Sequence, residues 1–221
     1  VDVAVFAGSQ SEYTFEPSAN GQIITVTHVM AGYVDTLTEI EKLRFDDGEI
    51  VVARDGNALT FTGSGGPDSI KIVGSVPVTI KGRDDSDIIT GSDGADTITG
   101  GTGDDTIEGG IGSDTVAFAG DMDDFTFAVA SDGTLTVTDV GTGNSLGVDT
   151  ISGVETLSFS DGDLAVTTSA GGEVTLTGSS ANDVITLTGI GGATLDGGSG
   201  YDTLTGGSGD DTLYGGSGDD T

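Results

Sequence analysis

Two hydrophobic spacings alternate along the chain. In the first, apolar and polar residues alternate at period two around a turn pair. Tyr13 and Phe15 precede Asn20-Gly21, and Ile24 and Val26 follow it. Phe125, Phe127 and Val129 precede Asp132-Gly133, and Leu135 and Val137 follow it. Alternation interrupted by Asn-Gly or Asp-Gly predicts β-hairpins. Next come Leu37, Ile40, Leu43 and Phe45 before Asp47-Gly48, matched by Ile151, Val154, Leu157 and Phe159 before Asp161-Gly162. That spacing fits a short helix or a solenoid coil with a turn. Poor caps and frequent Thr, Ser and Gly favour the coil.

The second spacing places one aliphatic residue in every nine. Residues 82 to 117 read GRDDSDIIT, GSDGADTIT, GGTGDDTIE, GGIGSDTVA, and the pattern returns at Gly197, Gly206 and Gly215. Each complete block opens with Gly, carries Asp at position six and carries an aliphatic at position eight: Ile89, Ile98, Ile107 and Val116 in the first run. Position eight of a short strand points opposite to positions seven and nine. The aliphatic therefore points inward, while Thr97 and Thr99, or Thr203 and Thr205, point outward. Glycines at positions one, two and four are expected to supply the positive φ of a tight turn. Two blocks make one coil of a flattened solenoid, with an aspartate on each edge.

The sequence is also internally duplicated. Residues 2 to 62 and 114 to 177 are variants of one unit, and GSGGPDSIKI at Gly63 matches GSSANDVITL at Gly178. The expected class is all-β: a parallel β-roll of nonapeptides alternating with hairpin-rich segments, in two tandem copies of about 115 residues. The expected divisions are 1–62 (hairpins), 63–117 (roll), 118–177 (hairpins) and 178–221 (roll). The last nonapeptide stops after its seventh residue, so the chain reads as an excerpt of a longer array.

Composition sharpens this picture. Glycine makes up 40 of 221 residues, well over twice the ~7% of average proteins. The net charge is −31, and all six Lys and Arg lie between Lys42 and Arg83. Nucleic acid is excluded as a partner, because phosphate binding needs basic clusters. No cysteine is present, which rules out disulfides and thiolate metal sites. No apolar run reaches the ~18 residues of a membrane span, and no signal peptide is visible. One aliphatic per nine ordered residues, with carboxylates repelling along each edge, leaves the runs poorly stabilised alone. A hard divalent cation with oxygen ligands answers both problems.

The nonapeptides resemble the RTX (repeats-in-toxin) family, whose GGxGxDxUx repeat forms a calcium-binding β-roll. The resemblance implies ions held between blocks two apart on one edge. Their ligands would be the position-six aspartates, the carbonyls of positions two and four, and those of positions one and three in the later block. Carried over, Ser64, Gly66 and Asp68 act with Gly82, Asp84 and Asp87. Arg83, Asp85 and Asp87 act with Gly100, Thr102 and Asp105. Ser92, Gly94 and Asp96 act with Gly109, Ile111 and Asp114. In the second copy, Ser179, Ala181 and Asp183 act with Gly197, Ser199 and Asp202. Gly198, Gly200 and Asp202 act with Gly215, Ser217 and Asp220, while Gly207, Gly209 and Asp211 hold the same positions in their own block. This gives roughly five Ca2+ ions. Arg83 and Asp85 replace glycines, so that site is expected to be weaker. Val78 and Ala193 stand near the aspartate position in ten-residue blocks, where no site is expected.

Other candidates carry less. The threonine ladder fits a flat ligand-binding or ice-binding face, but β-propensity explains it. His28, the sole histidine, corresponds to Asp139 in the second copy and is not expected to be catalytic. Asp104-Asp105 and Asp210-Asp211 look like acid/base pairs, yet they recur with the nonapeptides and read as metal-edge residues. With no Ser/His or Cys/His set, no enzyme is expected. The resemblance implies a secreted bacterial fibre, adhesin or surface-layer protein, stiffened by calcium outside the cell. Its partners would be neighbouring repeats and further copies in a fibre or layer, with no membrane insertion. The alternative is the calcium-dependent secretion and folding region of an RTX toxin, protease or polysaccharide-modifying enzyme. The number of units in the whole protein separates these readings.

Overall fold

In the computed structural model, residues 1–130, 134–142 and 146–221 are described. The chain is all-β apart from two single-turn 3-10 helices, Gln10–Glu12 and Met122–Asp124. It divides into two compact units, Val1–Asp114 and Thr115–Thr221.

In the first unit the hairpin expectation is met. Tyr13–Pro17 pairs antiparallel with Ile23–His28 across Asn20-Gly21, and Ile23–His28 pairs with Val34–Thr38. The segment that also fitted a helix is two strands, Val34–Thr38 and Lys42–Arg44, broken at Glu39, whose φ is 55°. Lys42–Arg44 turns at Asp47-Gly48 into Glu49–Asp55, which pairs with Ala58–Thr62. A second turn at Gly56-Asn57, not anticipated, makes that last hairpin. From Ala58–Thr62 onward the sheet is parallel, through Val78–Asp84 to Thr97–Thr102. The opposite face stacks Ser69–Lys71, Ile88–Thr90 and Thr106–Glu108 in parallel.

The register explains the nine-residue repeat. Ile70, Ile89 and Ile107 are direct partners on one face, and Phe61, Ile80 and Ile98 on the other. All six are buried. Each coil adds one aliphatic rung to each face, and the threonines at seven and nine fall outside. The hairpin part supplies a denser core. Phe6 stacks on Phe45 at 5.3 Å between centroids, with Tyr13, Phe15 and Phe61 around them.

The second unit repeats the plan. Phe125–Val129, Leu135–Asp139 and Val148–Ser152 form an antiparallel sheet; the Asp132-Gly133 turn lies outside the described residues. Thr156–Ser158, Asp163–Thr168 and Val174–Thr177 are antiparallel, and parallel pairing resumes through Ala193–Asp196 to Thr212–Tyr214. Phe118 stacks on Phe159 at 5.4 Å, as Phe6 does on Phe45. Leu195 is fully buried, whereas Leu213, on the edge strand Thr212–Tyr214, is 43% exposed.

Candidate metal centres

Among the described residues the fold drives the aspartates at position six inward in series, and Asp149 is buried apart from them. Asp68, Asp87, Asp96, Asp105, Asp114, Asp183 and Asp202 are all buried. Each coil ties to the next through them. The Asp68 N–H donates to Asp87 Oδ1 and the Asp87 N–H to Asp105 Oδ1, both at 2.8 Å. The Asp96 N–H donates to Asp114 Oδ1 at 2.8 Å. In the second unit the Asp183 N–H donates to Asp202 Oδ1 and the Asp202 N–H to Asp220 Oδ1, at 2.9 and 3.0 Å. Val78 and Ala193 occupy the same position in their blocks, donating to Asp96 Oδ1 and Asp211 Oδ1. They keep the ladder and bring no carboxylate.

The second carboxylate oxygen turns toward the position-one glycine of its own block. There it meets the position-one carbonyl of the block two later. A Cβ on Gly197 would lie 2.5 Å from Asp202 Oδ2 and 2.6 Å from Gly215 O. On Gly178 it would lie 2.6 Å from both Asp183 Oδ2 and Gly197 O. Gly82, with Asp87 Oδ2 and Gly100 O, and Gly91, with Asp96 Oδ2 and Gly109 O, repeat the arrangement. This corrects the expectation for position one. None of these glycines has a positive φ; glycine is required there for room between two converging oxygens. Positive φ is confined to positions two and four. Gly101, Gly103, Gly110, Gly112, Gly198, Gly200, Gly216 and Gly218 adopt it, and so do Arg83 at 102° and Asp85 at 75°. Those two residues carry backbone strain that glycine would not.

The carbonyls of positions two and four face the later coil. Gly112 lies over Gly94 O, Gly103 over Asp85 O, and Gly209 over Gly191 O. Gly101 lies likewise over Arg83 O, Gly110 over Ser92 O, Gly198 over Ser179 O and Gly200 over Ala181 O. Several of these turns are already joined by the backbone. Arg83 pairs with Gly101 and Asp84 with Thr102. The Ser217 N–H donates to Gly198 O at 2.9 Å, and Gly200 N–H to Ser217 O at 2.9 Å. Ser199 N–H reaches Ser179 O at 3.2 Å. The carbonyls of Gly198, Ser217 and Ser179 therefore share their lone pairs with a neighbour. The Ile111 side chain is exposed. The Gly66 carbonyl accepts the Ser64 hydroxyl at 3.3 Å, within its own turn.

The sites are not equivalent. Where position two is serine, its N–H caps the aspartate: Ser64 to Asp68 Oδ2 at 2.5 Å, Ser92 to Asp96 Oδ2 at 2.6 Å, Ser179 to Asp183 Oδ2 at 2.7 Å. Asp68 is further satisfied by the fully buried Gln10, whose Nε2 donates to Oδ1 at 2.7 Å. Sequence reasoning missed Gln10, since nothing local marks a residue 58 positions away. By contrast, Asp87 Oδ2 and Asp202 Oδ2 are buried without a hydrogen-bond partner. Each shares the space beside its position-one glycine with a carbonyl oxygen of the later block. Such a pair of oxygens is costly unless a cation or proton sits by it. Burial pushes the Asp87 carboxyl up to about 7, with Asp105, Asp68 and Asp85 adding repulsion. Burial lifts Asp105 to about 6, and it raises Asp96 and Asp183 as well.

Among the described residues no three Asp, Glu, His or Cys side chains converge. A cation on these edges would be held by paired aspartates and backbone carbonyls, an all-oxygen set that suits calcium. His28 is elsewhere: its Nδ1 accepts the Ala31 N–H at 3.2 Å and its ring meets Tyr13 edge-on.

Residues 81–116 and 187–221 match the RTX calcium-binding nonapeptide repeat, in four copies. No curated protein matches the chain. Among solved structures, the chain is similar to the extracellular lipase LipA from Serratia marcescens, at 22% identity and a TM-score of 0.30. The match covers 73% of this chain and 29% of the lipase. The nonapeptide runs of this chain thus match RTX calcium-binding repeats over residues 81–116 and 187–221, and they fold as a parallel β-solenoid.

Proposed function

We propose that this chain is a calcium-stiffened structural segment of a secreted bacterial fibre, adhesin or surface-layer protein, with no catalytic role of its own. The observation that carries the reading is the near-exact repetition of one architecture in two units, each ending in a roll with buried aspartates. A solenoid lengthens by repeating units that need contact only their neighbours. No helix among the described residues is long and apolar enough to cross a membrane.

The chain's own residues define what calcium changes. When bound, calcium supplies divalent charge and takes about 6–8 oxygen ligands. Asp87 Oδ2, near Gly100 O, and Asp202 Oδ2, near Gly215 O, lack a hydrogen-bond donor. These two sites load first, and the serine-capped sites of Asp68, Asp96 and Asp183 follow, giving about five ions. At low cytosolic calcium the acidic chain stays extended and export-competent; outside, at millimolar calcium, the rolls order. Neighbouring units and further copies in a fibre or layer are its partners.

Hydrogen exchange tests this. Amides of residues 82–117 and 178–221 should gain protection in calcium and not in magnesium. Chelator-treated cells displaying the whole protein should become protease-sensitive in these segments. Unchanged protection in calcium, or protease sensitivity indifferent to chelator, would remove the proposal.

A further inference from the structure

The roll of each unit starts against a single-turn helix, and the two starts differ by one side chain. Ser69–Lys71 is the terminal strand of its sheet, and Val184–Thr186 of its own. Gln10–Glu12 packs on the first, and Met122–Asp124 on the second. The surroundings match. Phe15 bridges to Ile72 as Phe127 does to Leu187. The Val73 N–H donates to Phe15 O, and the Thr188 N–H to Phe127 O. The Gln10 N–H donates to the Asp47 carboxylate, and the Met122 N–H to Asp161 Oδ1. Gln10 and Met122 hold equivalent places in the two copies, and both are buried.

Within the rolls a position-six aspartate makes two bonds to the next coil on its edge. Asp68 donates its N–H to Asp87 Oδ1 at 2.8 Å, and its carbonyl accepts the Ile88 N–H at 2.9 Å. Asp87 does the same with Asp105 Oδ1 and the Thr106 N–H, and Asp183 with Asp202 Oδ1 and the Thr203 N–H. Asp68 has no nonapeptide coil before it on this edge, and the Gln10 side chain supplies both bonds instead. Its Nε2 donates to Asp68 Oδ1 at 2.7 Å, and its Oε1 accepts the Ser69 N–H at 2.9 Å. One carboxamide thus takes the part that the backbone of a position-six residue plays elsewhere. Met122 carries a thioether, which has no donor and only a weak acceptor. Among the described residues, Asp183 Oδ1 meets the Ser179 hydroxyl alone, at 3.3 Å.

We propose that Gln10 is a surrogate coil that fixes the start of the first roll without metal, so that calcium-driven ordering spreads from that edge, whereas the second roll has no metal-free start. This rests on the calcium reading of the rolls. Both Asp68 oxygens are satisfied by the chain itself, Oδ1 by Gln10 and Oδ2 by Ser64. A buried carboxylate bonded at both oxygens needs no cation to stay in place. Asp183 keeps the serine cap and lacks the amide, so its coil waits on the ion. Solenoid repeats order by adding to a formed neighbour. The coils of Asp87 and Asp105 therefore have a template in chelator that the coil of Asp202 lacks.

Amide hydrogen exchange of the whole chain, followed by NMR in chelator and then in calcium, tests this. Ser69 and Val184 hold the same position after their aspartates. In chelator the Ser69 amide should exchange at least about tenfold more slowly than the Val184 amide, the worth of one hydrogen bond to a charged group. In calcium both should be protected. Gln10→Met should bring Ser69 to the level of Val184 in chelator, and Met122→Gln should slow Val184 by about tenfold. Equal exchange at the two amides in chelator overturns the proposal. So does a Gln10→Met chain whose Ser69 amide keeps its protection, or a folded Met122→Gln chain whose Val184 amide is unchanged. Protection of both rolls that ignores calcium would strike the calcium reading alone, and the two substitutions would still decide the role of Gln10.

Discussion

Replacing Asp87 by asparagine should act with opposite sign in the presence and absence of calcium. Asp87 is 1% exposed; its Oδ1 accepts the Asp68 N–H, and its Oδ2 has no hydrogen-bond partner beside the Gly100 carbonyl. Without metal, ionising this group inside the roll is unfavourable. A carboxyl lifted from 3.8 to about 7 carries a cost of roughly 4 kcal/mol at pH 8 if nothing relaxes. Admission of water at the edge halves it to roughly 2 kcal/mol. Asparagine keeps the Oδ1 acceptor, removes the charge and turns an amide donor toward Gly100 O. The metal-free roll should gain about 2 kcal/mol, a rise in melting temperature of about 5 °C. With calcium, the same change removes an anionic ligand shared by two neighbouring sites. The calcium needed for half-folding should rise about 10-fold or more. Thermal melts by circular dichroism at pH 8, in chelator and in excess calcium, measure both. A lower melting temperature in chelator, or an unchanged calcium midpoint, would refute the assignment of Asp87.

Three further outcomes follow from the same geometry. Because the folded carboxyls of Asp87 and Asp105 titrate at about 7 and about 6, above their unfolded values, the metal-free fold binds more protons than the unfolded chain. Its stability should therefore fall as pH rises from about 4 to about 7, while with calcium the midpoint concentration should rise as pH falls through that window, since the ligands must be deprotonated; melts and titrations across pH 5–8 read both slopes. Gly197→Ala places a methyl 2.5 Å from Asp202 Oδ2 and 2.6 Å from Gly215 O, and should cost about 2 kcal/mol or more, whereas Gly66→Ala, with open space and no positive φ, should change denaturant midpoints by less than about 0.5 kcal/mol. Gln10→Ala should strip the Asp68 and Ser69 partners and destabilise the first unit by about 2 kcal/mol, measured by urea unfolding in chelator.

Much of this molecule is legible in its sequence because the solenoid is periodic. The aliphatic at position eight had to be buried, and Ile89, Ile98, Ile107 and Val116 are. The hairpin across Asn20-Gly21 follows from alternation and turn chemistry, whereas the antiparallel pairs at Asp47-Gly48 and Asp161-Gly162 form where a spacing of three fitted a helix or a coil with a turn. What sequence spacing could not show was the reason for each glycine. Position one needs space and positions two and four need backbone freedom, a distinction that exists only once coils are stacked. Nor could it rank the sites. Serine at position two looks like a mild departure from glycine, yet it caps its aspartate, while Asp87, in the block with the least regular turn, keeps Oδ2 without a hydrogen-bond partner. Gln10 acts across a long sequence separation, and no local pattern announces it.

The central claim is that the rolls fold on calcium. Far-UV circular dichroism of residues 1–221, titrated with calcium after chelation and with magnesium as control, tests it most directly. The account predicts a cooperative gain of β signal at about 10⁻⁴ to 10⁻³ M calcium, absent with magnesium. A β signal already complete in chelator would contradict it, showing that the hairpin cores hold the solenoid by themselves.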